Sequence, residues 1–258
     1  MRSAWRLLRD GPGHPAWNMA VDEALLRSQA REGGLPVLRL YTWHPPAISL
    51  GYFQKARDFD RHVLDRLGIL VVRRITGGRA VLHAGDVTYS VVARAGTHTP
   101  QGVREAYHYL NRGLCTALRL LGAEAERGET SPRVARSEAC FALAAAGDLV
   151  HRGAKFAGSA QARMGDALLQ HGSIAVRCQR ALLEAVFPCR ADEGLDWSRA
   201  VTSLDRVLGG PVPMDRLQAA LVRGFAEAMG VELVPSRLSP AERELAQALV
   251  RDASPLVE

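Results

Sequence analysis

Arg73-Arg74-Ile75-Thr76-Gly77-Gly78-Arg79-Ala80-Val81-Leu82-His83, followed by Gly85-Asp86-Val87-Thr88-Tyr89-Ser90, is the stretch on which the fold of this chain turns. Apolar, strand-like runs at residues 69–75, 80–83 and 87–94 are broken by Gly77-Gly78 and Gly85-Asp86 turns. Paired glycines at a strand end permit positive φ and let backbone N–H groups approach a ligand, with arginines at hand for a carboxylate, phosphate or thioester oxygen. A plain Gly-Gly hairpin carrying exposed arginines fits the same spacing equally well. The run is neither a Walker A loop nor a G-x-G-x-x-G fingerprint, so nucleotide binding by those routes has no support.

Working outward, residues 5–9 read as a strand and 15–31 as an amphipathic helix with Met19, Ala20, Leu25 and Leu26 near one face. Strands follow at 35–43 and 47–53 across the His44-Pro45-Pro46 turn, then a short helix at 58–67. Beyond the three central strands lie a long helix at 101–121, a Gly/Ser/Pro/Arg loop at 128–138, and strands near 148–151, 156–161 and 168–176. Helices near 179–186, 214–229 and 240–250 close the chain, and everything after Pro211 reads as a helical tail. Strands come in groups and do not alternate strictly with helices, which points to an α+β fold. The expected organisation is a catalytic-type domain over residues 1–210 and a C-terminal helical segment over 211–258 packed on it.

Composition narrows the function classes. With 258 residues, 47% hydrophobic and 23% charged, the chain is long enough to bury a core and is neither disordered nor collagenous. Apolar runs stop well short of the roughly 18 residues of a membrane span, and residues 1–15 lack a signal-peptide core, so a cytoplasmic protein is expected, and a monomer is the expected state. The charge of +6 is scattered among acids with no basic block, so no nucleic-acid partner is expected, and an acidic protein partner fits. Cys115, Cys140, Cys178 and Cys189 contain no C-x-x-C and read as free thiols, leaving neither a disulfide framework nor a zinc site. Only Lys55 and Lys155 among 33 basic residues are lysine. In so arginine-rich a chain, a retained lysine marks a position where a compact, tunable ammonium is wanted.

Lys155 lies in Gly153-Ala154-Lys155-Phe156-Ala157-Gly158-Ser159-Ala160-Gln161, which runs on to Leu169-Gln170-His171-Gly172-Ser173. Small residues at alternate strand positions leave room for an acyl chain, with Lys155 projecting a charge into it. A solvated edge-strand lysine is the competing reading. Cys140, on an apparent loop upstream, becomes a nucleophile if a cation such as Lys155 stabilises its thiolate; a small buried hydrophobe is the alternative. His83 and His171 can orient a carbonyl or shuttle a proton, or can be satisfied structural histidines. No H-E-x-x-H or paired-acid pattern suggests a metal.

Taken together, Trp17 to Leu25, Ser49 to Gln54, Arg73 to His83, Cys140-Phe141, Lys155 to Gln161 and Leu169 to Ile174 resemble the lipoate/biotin protein ligase superfamily, and within it the cysteine-type octanoyl-carrier-protein:protein octanoyltransferases. The resemblance implies that superfamily's catalytic-domain fold, a mixed sheet with flanking helices like that of class II aminoacyl-tRNA synthetases and biotin synthetases. It implies Cys140 and Lys155 as catalytic residues, and Arg73, Thr76, Gly77, Gly78, His83, Gly158, Ser159, Gln161 and His171 as substrate-binding. The implied reaction moves an octanoyl group from octanoyl-acyl carrier protein, through an acyl-thioester enzyme, to a lysine of the glycine cleavage H protein or of a 2-oxoacid dehydrogenase lipoyl domain. No cofactor or metal is implied. Two alternatives stay open: an ATP-dependent lipoate-protein ligase, and a non-catalytic acyl- or lipoyl-domain-binding protein, the latter because residues 142–147 depart from the transferase pattern after Cys-Phe.

Overall fold

The computed structural model describes residues 2–128, 147–187 and 196–252. Strand β1 (Ser3–Gly13) leads into helix α1 (Pro15–Glu32), which starts on a proline suited to a first helical position and stops where Gly33 turns to positive φ. Then come β2 (Val37–Trp43), β3 (Ala47–Leu50) and α2 (Arg61–Leu67). Asp60 caps α2 by accepting from the N–H groups of His62 and Val63. β4 (Leu70–Arg73), β5 (Val81–His83), β6 (Asp86–Arg94), α3 (Val103–Leu121), β7 (Glu126–Arg127), β8 (Leu149–His151), β9 (Ala154–Met164) and β10 (Ala167–Ala175) follow. The chain ends with α4 (Arg180–Val186), α5 (Trp197–Ala200), α6 (Leu204–Val207), α7 (Met214–Met229), β11 (Val231–Pro235) and α8 (Pro240–Asp252).

Eight strands form one mixed sheet in the order β11-β1-β2-β6-β10-β9-β8-β7, with β1 parallel to both β11 and β2 and the other pairs antiparallel. This is the expected α+β arrangement. On one face, Val87, Tyr89, Val91, Leu168 and Ile174 pack with Leu110 and Leu114 of α3 and Leu221 and Phe225 of α7. The alternate residues of the same strands, Val92 and Leu169, face Val21 and Leu25 of α1 and Ala246 of α8. α3 and α7 approach closely because each offers a glycine: a Cβ on Gly113 would lie 2.5 Å from Phe225, and one on Gly224 2.4 Å from the Ala117 backbone. The segment after Pro211, expected to be all helix, also supplies β11 as an edge strand of the sheet.

A second sheet, in the order β4-β3-β5, sits beside the first around Ile48, Leu50, Leu64, Leu82, Leu183 and Trp197. It removes the hairpin reading of Gly77-Gly78. β4 and β5 do not pair with each other; both flank β3, one parallel and one antiparallel, so the Gly-Gly segment carries the chain across β3. α1 also differs from its expected amphipathic form. Lying between the large sheet, α8 and β4, it buries Asn18, Asp22 and Gln29 along with its apolar residues.

Candidate functional site

The polar residues buried on α1 organise the face of the large sheet that meets the small one. Asp22, 2% exposed, accepts from Arg39 Nη1 at 2.8 Å, Tyr41 OH at 2.8 Å, Ser90 Oγ at 2.9 Å and His171 Nδ1 at 3.1 Å. Burial alone would raise this carboxyl, but the Arg39 guanidinium and the His171 hydrogen bond outweigh it and hold Asp22 below the usual carboxylate range. Arg39, wholly buried, also donates to Asp10, to the Asn18 carbonyl and to Asn18 Oδ1. Burial pushes His171 below its ordinary value, so its ring is neutral at pH 7. With Nδ1–H directed at Asp22, Nε2 accepts from the Thr76 hydroxyl at 2.7 Å.

A second histidine repeats the pattern. His83 Nδ1 lies 2.8 Å from Asp86 Oδ2, and Nε2 lies 2.8 Å from Ser49 Oγ. Asp86 also accepts from Ser173 at 2.5 Å. Trp43 stacks on the His83 ring at 3.8 Å and donates its indole N–H to Thr88 at 2.8 Å. Both imidazoles thus have both nitrogens engaged, an arrangement that fixes ring orientation.

The arginines of the glycine segment turn inward. Arg74, 5% exposed, donates to the carbonyls of Ser49 at 2.6 Å, Gly77 at 3.0 Å and Arg79 at 2.7 Å. Arg73 clamps the loop after β3 through the carbonyls of Gly51, Tyr52 and Gln54. A side chain at Gly51 would put its Cβ 1.8 Å from the Gly78 carbonyl oxygen, so Gly51 lets the two loops touch. The exposed-arginine reading therefore fails: these guanidinium groups satisfy the carbonyls of an irregular backbone.

Lys155 is 1% exposed, and β9 is paired on both sides, so it is not a solvated edge lysine. Its Nζ lies 2.7 Å from Oδ2 of Asp148, a carboxylate that is also buried. A Cβ on Gly158 would sit 2.8 Å from Lys155 Cε and 2.9 Å from both Lys155 Nζ and Asp148 Oδ1, so this glycine makes the space that the pair fills. Gly158 is registered opposite Ser173, whose hydroxyl reaches Asp86. Side chains of opposed residues point to the same face of a sheet. The Lys155 ammonium therefore occupies the face that carries Ser173 and His171.

The sheet thus divides the residues singled out from sequence. Thr76, His83, Gly158, Lys155 and His171 share the face toward the small sheet. Ser159 and Gln161 point the other way, Ser159 Oγ to Tyr89 OH at 2.7 Å and Gln161 to Gln170 at 3.2 Å, in a network that Gln170 extends to Asn111 of α3 at 3.0 Å. Arg73, Gly77 and Gly78 shape the loop edge. Cys140 lies outside the described residues, as does Cys189. Cys115 and Cys178 are half-buried, and burial pushes both thiols up, away from thiolate. The organising acids Asp22, Asp86 and Asp148 are not among the residues the sequence singles out for a role. Their only signals were their places in Trp17 to Leu25, three residues beyond His83, and just before the strand leading to Lys155. Among the described residues, no group of three or more His, Cys, Asp or Glu is placed to hold a metal, and no helix is long and apolar enough to cross a membrane.

Comparison with known proteins gives this arrangement its context. Residues 14–226 match the lipoyl protein ligase A/B catalytic domain family. An octanoyltransferase LipM of Kyrpidia tusciae is 42% identical, the alignment covering 95% of this chain and 94% of that protein. An octanoyltransferase LipM of Carboxydothermus hydrogenoformans is 39% identical over 96% and 95%. Among solved structures, a lipoate-protein ligase A bound with ATP superimposes with a TM-score of 0.81 at 28% identity, covering 98% of this chain and 95% of that one. The bipartite lipoate protein ligase of Thermoplasma acidophilum, described with its E2 lipoyl domain, gives 0.80 at 28% identity over 98% and 93%. The mixed sheet with flanking helices is the lipoate-ligase catalytic fold expected from the sequence.

Proposed function

The chain belongs to the lipoyl protein ligase A/B catalytic domain family, and on that premise we propose that it transfers an octanoyl group from octanoyl-acyl carrier protein to a lysine of a lipoyl-dependent protein, in lipoate biosynthesis. The observation that carries the reading is the near full-length similarity to proteins named octanoyltransferase LipM, at 42% and 39% identity. Similarity to a ligase described with its lipoyl domain supports a lipoyl-carrier acceptor, either the glycine cleavage H protein or a dehydrogenase lipoyl domain.

Cys140 gives up its proton and its thiolate attacks the thioester carbonyl of the donor; the bond to the carrier's sulfur breaks, and the carrier leaves as its thiol with that proton. The acceptor lysine's amine then attacks the octanoyl-Cys140 thioester, the amide forms, and the sulfur recovers its proton. Lys155 supplies positive charge for the acyl oxygen and the thiolate, an electrostatic contribution that a water-poor site strengthens. His171 is neutral and held by Asp22, and with both ring nitrogens engaged it and His83 form the substrate-binding wall through the hydroxyls of Thr76 and Ser49, while Gly77-Gly78 shape its edge. Gly158, Ser159, Gln161 and Arg73 complete the substrate-binding set, Ser159 and Gln161 acting through β9 because their side chains lie on its far face. A thioester is already activated, so this route needs no cofactor.

Likeness to a ligase bound with ATP favours one second reading, ATP-dependent ligation of a free acid. The two separate cleanly. With an acceptor domain present, modification is expected from octanoyl-acyl carrier protein without ATP, and none from free octanoate with ATP and magnesium. The reverse result establishes the ligase. Binding of the acceptor with no modification from either donor establishes a binding protein.

A further inference from the structure

Lys155 and Asp148 form an ion pair in which both side chains are almost wholly removed from solvent. Such a pair is a poor way to gain stability, since desolvating two charges consumes most of what their attraction returns, and an apolar pair of equal volume commonly does as well. The surroundings are nevertheless shaped for it. Gly158 stands where any side chain would strike Lys155 or Asp148. The register shift between Leu149 and Val150 lets the start of β8 follow β9 past Lys155. Asp148 is held from several directions: its carbonyl accepts from the Gly128 N–H at 2.8 Å, and the preceding carbonyl, of Gly147, accepts from Asn111 Nδ2 at 3.0 Å. Asn111 is fixed in turn by Gln170 of β10.

We propose that Asp148 is a positioning residue of the transfer reaction, acting through Lys155; the inference rests on the octanoyl-transfer reading given above. A lysine side chain has a flexible four-carbon stem and a head that swivels, so a buried ammonium with no fixed partner has neither a set position nor a counter-charge. A carboxylate at 2.7 Å supplies both. It directs one of the three N–H donors and thereby sets the direction of the others. Asp148 acts through this ion pair: its carboxylate meets the ammonium, which occupies the face shared with Ser173 and His171.

The test is a double-mutant cycle on the full chain, read as kcat and KM for octanoyl transfer from octanoyl-acyl carrier protein to an acceptor domain. Asp148→Asn is expected to lower kcat on the order of tenfold or more, less than the roughly 10²- to 10³-fold loss of a donor that itself faces the reacting oxygen, while KM for both proteins stays within about twofold because no substrate contact is removed. In a Lys155→Met background the same change is expected to cost nothing further. Full kcat in Asp148→Asn, or an equal additional loss in the Lys155→Met background, would overturn the proposal while leaving the transferase reading intact. Should Asp148→Asn fail to fold, Lys155→Met and Lys155→Met/Asp148→Asn, which leave no buried ammonium without its partner, still decide it: equal residual rates support the proposal and unequal rates overturn it. An inactive wild-type chain would overturn both.

Discussion

Replacing Asp22 by asparagine removes one charge from the centre of the buried network and keeps nearly the same shape. Four donors converge on that carboxylate within 2.8 to 3.1 Å, from Arg39, Tyr41, Ser90 and His171. An amide presents one acceptor oxygen and an NH₂ that faces donors, so at least one donor loses its partner. The larger effect is on Arg39, which has no solvent exposure and keeps the neutral oxygens of Asn18 and one carboxylate, Asp10, that is 37% exposed. Breaking a buried pair from one side costs about 3–5 kcal/mol. At roughly 2–4 °C per kcal/mol for a chain of this size, that is a fall in Tm of about 6–20 °C. The pH dependence has a definite sign. The folded pKa of Asp22 lies below its ordinary 3.8, so its contribution is fully present above 3.8 and is lost as pH falls through the folded value. Urea unfolding of both proteins across pH should show a constant gap from neutral pH down to about that point, then a closing one. A gap under about 1 kcal/mol at pH 7, or one that stays open at the acid end, would refute the assignment of Asp22 as the charged hub.

His171, its pKa depressed by burial, contributes stability that is complete above its ordinary 6.5 and is lost as pH falls through the folded value, so His171→Asn should flatten the wild-type stability profile below 6.5; calorimetric scans across that range would show an unchanged slope if the ring were charged in the fold. Lys155→Met should slow octanoyl transfer by roughly 10²- to 10³-fold with the fold retained by circular dichroism. Lys155→Arg should rescue it poorly, because a guanidinium is broader than the space Gly158 leaves, and full rescue would reduce the role of Lys155 to bare charge. Gly224→Ala places a methyl 2.4 Å from the Ala117 backbone and should cost about 1–3 kcal/mol in urea midpoint stability through separation of α3 and α7, whereas a neutral result would mean the helices slide apart freely.

Much of the fold is legible in the chain because its periodicities are strong and bounded by real stops. α7 begins after Pro213 and ends at Gly230, both visible in the sequence, and its expected span of 214–229 is the observed one. β11 escaped because five residues ending in proline, only Val231 of them fully buried, look like a connection between two helices; its partner is β1, more than 200 residues away. The Gly77-Gly78 segment misled for a related reason, since local spacing cannot distinguish a hairpin from a crossing over a third strand. At the site, motifs single out His83, Lys155 and His171 but not the acids that hold them. Asp22, Asp86 and Asp148 are individually indistinguishable from surface carboxylates; the packing of α1 against β10 gives Asp22 its histidine, the turn from β5 to β6 brings His83 to Asp86, and the pairing of β8 with β9 brings Lys155 to Asp148. Lys155 is marked by its rarity and by the small-residue stretch Gly153 to Gln161, but its burial and its partner come from the pairing of β9 on both edges.

The most direct test of the account is the mass of the chain itself after brief incubation with octanoyl-acyl carrier protein, without ATP. One octanoyl group is expected, on the peptide that contains Cys140 and absent from Cys140→Ala, and it should disappear when an acceptor domain is added as that domain gains one octanoyl amide. An acyl group on Cys115, Cys178 or Cys189, or acceptor modification that proceeds undiminished in Cys140→Ala, would contradict it.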